Sequence, residues 1–205
     1  PKFLASLSAD EIKGLIKHEC YHLIFKHCTA RKQTPHQMWN MATDLAINSL
    51  IAERLLPEGG LIPGKALNGL DKITDPNQYA AWKRLSELIR GFPKNKNSEW
   101  YMAQLMDDEE LQDAMDKLPK DASGGGGSGM PGMDDHDGWG EGLSEEEKAK
   151  LENEIKEAVS KAGKEADRSN SWGSVSQETR KLIRKTYESK VNWKNVLTSF
   201  VGRRQ

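Results

Sequence analysis

Ser8-Ala9-Asp10-Glu11-Ile12-Lys13-Gly14-Leu15-Ile16-Lys17-His18-Glu19-Cys20-Tyr21-His22-Leu23 is the stretch that decides how this chain is read. Ser8 and Glu11 make a capping-box pair, which predicts a helix starting after Ser8. Ile12, Leu15, Ile16 and Leu23 then recur at helical spacing, so the helix is expected to continue through residues 18–22. Those five residues spell H-E-x-x-H. A spacing of four sets both imidazoles on one face, one turn apart, where they can grip a single metal ion. Glu19 lies beside that face and can act as general base on a water at the metal. The pattern predicts a zinc hydrolase, in the first place a peptidase.

Two histidines leave a catalytic zinc one protein ligand short. The extended pattern H-E-x-x-H-x-x-G-x-x-H does not supply it, because Phe25 holds the glycine position and Cys28 the third-histidine position. With no glycine to turn the chain, His27 is expected nine residues along the same helix, roughly opposite His18, as a surface or packing residue. The better third ligand is Asp44. It lies in Trp39-Asn40-Met41-Ala42-Thr43-Asp44-Leu45-Ala46-Ile47-Asn48, a largely apolar stretch that reads as a second helix. A carboxylate buried there needs a cationic partner, and a metal on the facing helix would provide one. Asn40 and Asn48 share its stripe at i−4 and i+4, and either could hydrogen-bond a ligand from outside the coordination shell.

Asp134-Asp135-His136-Asp137-Gly138-Trp139-Gly140 follows a Gly/Ser-rich stretch at 121–133 that reads as a flexible loop. His136 is a candidate further metal ligand or, alternatively, a catalytic donor to the oxyanion of a tetrahedral intermediate. The acidic residues beside it do not have the spacing of an EF-hand.

At these residues the chain resembles the metallopeptidase-like domains of bacterial and phage proteins that commonly precede a von Willebrand factor A-like domain. The matching segments are the H-E-x-x-H helix, Met38 to Asp44 with Ile47-Asn48, Leu56-Pro57-Glu58-Gly59-Gly60-Leu61, His136 to Trp139, and Val191-Asn192-Trp193. The resemblance implies an α+β zincin-like fold with little β structure. It further implies His18 and His22 as zinc ligands, Glu19 as catalytic base, and Asp44 and His136 as site residues. It also implies frequent company with AAA ATPases. That company leaves room for a second reading, a catalytically latent zinc-binding interaction module serving an A-like domain or an ATPase partner.

Composition fits one domain over residues 1–205, predominantly α. At 36% hydrophobic and 30% charged, 205 residues can bury a modest core. No transmembrane run or signal peptide is visible. Cys20 and Cys28, eight apart on one expected helix, sit about 12 Å from each other, too far for a disulfide. Reduced cysteines point to the cytoplasm, and Cys20 reads as helix packing. Charge is uneven: residues 104–160 carry 17 acidic and 5 basic side chains, whereas 176–205 carry 8 basic and 2 acidic. The basic end reads as an amphipathic helical segment at 175–205. With three aromatics and no recognition motif, it supports nucleic-acid binding only weakly. A peptide or protein substrate is the expected partner. Further helices are expected over 77–90, 99–118 (capped by Ser98), from Ser144 to about residue 162, and near 175–189 and 192–202. Trp82, Trp100, Trp172 and Trp193 read as core or interface fillers.

Overall fold

The structure, a computed structural model, describes residues 2–118 except 28, 30 and 32, and residues 143–187 except 174. The expected Gly-rich loop, His136, Cys28 and the helix near 192–202 lie outside the described residues. Two compact units are distinguished, Pro1–Lys148 and Ala149–Gln205. The described residues are mostly helical, as the sequence predicts, and contain no strand.

The first unit is built around α3 (His36–Asn48). From Met38 to Asn48 every residue but Asn40 is buried, as expected of a helix apolar nearly all round. Met41, Leu45 and Ile47 are fully buried, each contributing about 1.5–3 kcal/mol. Two earlier helices are α1 (Lys2–Ser6) and α2 (Ala9–Ile24). α2 starts as predicted: Glu11 donates its backbone N–H to Ser8 Oγ at 3.2 Å, and Ser8 N–H returns a bond to Glu11 at 2.7 Å. Its buried face is not the apolar one, however. Gly14, His18, Tyr21 and His22 face inward, while Ile16 and Leu23 are exposed. Gly14 explains part of this. A short 3-10 turn at Glu53–Leu55 lies so close to α2 that a Cβ on Gly14 would stand 1.8 Å from the Leu55 carbonyl oxygen. Cys20 is exposed too, so it does not pack the helix as its sequence context suggested.

α4 (Pro76–Arg90), α5 (Ser98–Met106) and α6 (Glu109–Asp116) complete the unit: α5 packs on α3, α4 on α6, and all add buried side chains to the same core. Asp75 caps α4 and Pro76 takes its first turn, the position where a missing N–H costs nothing. The helix expected over 99–118 is two helices, because Asp108 accepts the Leu111 N–H at 2.8 Å and starts a second one. Asn97, rather than Ser98, caps α5 by accepting the Trp100 N–H at 3.0 Å. Trp82 belongs to the core cluster, and Trp100, partly buried, packs against that cluster.

The second unit carries all but the first turn of α7 (Glu145–Arg168), and α8 (Gln177–Tyr187). Ser144 and Glu147 form the expected capping box at the start of α7, and the helix runs six residues beyond the expected end. Between α7 and α8, Trp172 donates to Asp167 at 2.9 Å and lies under the guanidinium groups of Arg180 and Arg184. No helix among the described residues is long and apolar enough to cross a membrane.

Candidate metal centre

α2 and α3 bring His18, His22 and Asp44 together. His18 Nε2 and His22 Nε2 stand 2.9 Å apart, and Asp44 Oδ1 lies 3.5 Å and 3.3 Å from them. A tetrahedral zinc bonded at about 2.0–2.1 Å needs its donor atoms about 3.3 Å apart, so this triangle has the size and the N/N/O donor set for that ion. All three residues are buried. An imidazole pair and a carboxylate held this close without bulk water are costly unless a cation or shared protons join them. Among the described residues, this is the one group of three or more such side chains that could hold a metal.

The Asn48 side chain decides which nitrogen of His18 faces the cluster. Its Nδ2 donates to the Leu61 carbonyl at 2.9 Å, which turns Oδ1 toward His18 Nδ1 at 2.8 Å. An acceptor at Nδ1 keeps the hydrogen on that atom and the lone pair on Nε2, the orientation metal-binding histidines adopt. Of the two asparagines on the stripe, Asn48 is the one that bonds a candidate ligand; Asn40, about two turns earlier, is half-buried. The segment Leu56 to Leu61 contributes through a main-chain carbonyl, at the end of a turn where Gly59 takes φ +95°.

Burial pushes the His18 imidazolium toward losing its proton. The hydrogen bond and charge of Asp44 outweigh that, with smaller help from Asn48 and the Glu19 carboxylate, and hold His18 up at about 9. Glu19 itself is half-buried, next to His18 on α2. His136 lies outside the described residues.

His27 is where the sequence reading needs correction. α2 does not continue past Ile24. His27 N–H bonds the His22 carbonyl at 3.0 Å and Lys26 N–H bonds the Leu23 carbonyl at 3.1 Å, the two bonds of a Schellman motif. Lys26 takes the left-handed position at φ 60°, where a glycine is usual. The chain turns back without its usual marker, and His27 ends up buried against His22, not across the helix from His18. The sequence holds no local sign of this beyond a polar run after Phe25. Ser98, which meets His27 Nε2 at 3.0 Å, is 71 residues away and equally unmarked.

A family model described as "Putative metallopeptidase domain" matches residues 1–205. No curated protein and no solved structure matches the chain.

Proposed function

The chain belongs to the "putative metallopeptidase domain" family, and from that premise we propose that it is a zinc-dependent peptidase with Glu19 as general base. The observation that carries the reading is the convergence of three donors, His18 Nε2, His22 Nε2 and Asp44 Oδ1, on one point. Three protein ligands of this kind are what a catalytic zinc takes. When bound, the ion supplies Lewis acidity toward a substrate carbonyl and toward water. Glu19, carried next to His18 by the same helix turn, accepts the proton of the attacking water and delivers it to the leaving amine. Asn48 keeps His18 in the tautomer that presents Nε2. His136 is assigned the oxyanion-donor role on sequence grounds. The exposed free thiol of Cys20 supports a cytoplasmic setting. Peptide or protein is the proposed substrate, with an A-like domain or an AAA ATPase as partner.

The first test is metal content of protein purified without added metal. About one zinc per chain is expected in wild type, lost in Asp44→Ala and kept in His136→Ala. Loss in both variants would mean a closed four-ligand shell and the latent interaction module. Glu19→Gln should then keep its zinc and hydrolyse peptides at least about 100-fold more slowly. Cleavage at the wild-type rate would remove Glu19 as base.

A further inference from the structure

His18 has its outer nitrogen bonded by Asn48; the outer nitrogen of His22 meets another histidine. His22 Nδ1 stands 3.4 Å from His27 Nδ1, at the long end of hydrogen bonding, and His27 Nε2 stands 3.0 Å from Ser98 Oγ. The hydrogens can be placed by elimination. His22 presents Nε2 to the cluster as a lone pair, so its Nδ1 carries the hydrogen and donates. His27 Nδ1 must therefore accept, which puts the His27 hydrogen on Nε2, where Ser98 Oγ accepts it. The opposite tautomer of His27 would set two N–H groups against each other. Both ring N–H groups, that of His22 and that of His27, then have an acceptor.

Two further contacts hold His27 in place. The Schellman motif fixes its main chain one position beyond Lys26. Its ring and that of Trp39 meet nearly at right angles, centroids 5.8 Å apart at 81°. Its side chain and that of Ser98 are both buried. In a Schellman motif the residues here occupied by His22 and His27 usually make an apolar contact. A pair of imidazoles replaces it, with ring centroids 5.2 Å apart.

We infer that His27, backed by Ser98, is the positioning residue for His22 and so a determinant of metal affinity. The inference rests on the metal-centre reading above. It is tested on the full chain, stripped with chelator and titrated with Zn2+ against a chromophoric competitor, with Co2+ absorption as a second readout. His27→Phe keeps an aromatic ring and removes the acceptor; zinc affinity should fall about 10–100-fold and the Co2+ spectrum should change. His27→Asn offers an amide oxygen near the place of Nδ1 and should restore most of the affinity. Ser98→Ala should weaken binding by a smaller factor. Unfolding midpoints of the metal-free variants should not follow this order.

Wild-type affinity in His27→Phe, or an Asn variant no better than the Phe variant, would overturn the inference. If wild type itself takes up no zinc, the metal-centre reading fails first and the inference with it. Should His27→Phe not fold, the Asn and Ser98→Ala variants decide. Wild-type affinity in Ser98→Ala together with strong loss in His27→Asn would reject the assigned tautomers.

Discussion

His18 is held by two opposing influences whose balance can be read in solution. Burial disfavours its charge and Asp44 favours it more strongly, leaving its pKa at about 9 in the metal-free protein. The folded value lies above the usual 6.5, so the ion pair's contribution to stability is complete below about pH 6.5 and lost as pH rises through about 9. A metal must displace the same proton. Zinc affinity of the stripped protein should therefore keep climbing to about pH 9, where a site of ordinary imidazoles would level off near neutrality. Competition titrations at stepped pH measure this, and a plateau already at pH 7 would contradict it. At this scale the pairing of His18 with His22 was legible because helical spacing alone brings them together. Asp44 was legible because a carboxylate on an apolar helix demands a partner. His27 and Ser98 were not, because their roles depend on a turn and on a contact 71 residues apart in sequence.

Two helix starts were legible because a reciprocal side-chain box makes each of them. The Ser8–Glu11 and Ser144–Glu147 boxes both stand where the sequence puts them. The end of α2 was missed because lysine occupies the left-handed position. That conformation costs a residue with a Cβ about 1–2 kcal/mol, partly offset by glycine's greater freedom in the unfolded chain. Lys26→Gly should therefore stabilise the protein by about 0.5–1 kcal/mol, read from the urea midpoint. The opposite holds at Gly14. Alanine has the better helix propensity by about 1 kcal/mol, yet its Cβ would collide with main chain at Leu55. Backbone cannot swing away as a side-chain tip does, so overpacking should win. Gly14→Ala should lower stability by about 1–3 kcal/mol in the same measurement. The break between α5 and α6 shows the same lesson in a different residue. Asp108 reads as one more acidic residue in a helical run, but its carboxylate bonds Leu111 N–H and also takes Arg84 at 2.6 Å.

For the whole molecule, the candidate metal centre joins parts of the first unit that are distant in sequence. His18 and His22 come from α2 and Asp44 from α3; Asn48 reaches the Leu61 carbonyl, and His27 reaches α5 through Ser98. A bound ion should thus stabilise folding of this unit, and chelation should lower its melting temperature. Each tenfold rise in free zinc above the dissociation constant should add about 1.4 kcal/mol, or about 3–6 °C. A scanning-calorimetry series across zinc concentrations checks this; a melting temperature indifferent to zinc and chelator would contradict it. The helical class was legible because periodicity and caps are local. The packing of the 3-10 turn on α2 was not, because its signal is an absent side chain. That absence changes what counts as the motif. Copying His18 to His22 onto a helix of another scaffold would transfer the two candidate ligands and the proposed base without the surface that seats them. A working graft needs the nine positions from Gly14 to His22, with a bare backbone one turn before the first histidine for a neighbouring carbonyl to rest on.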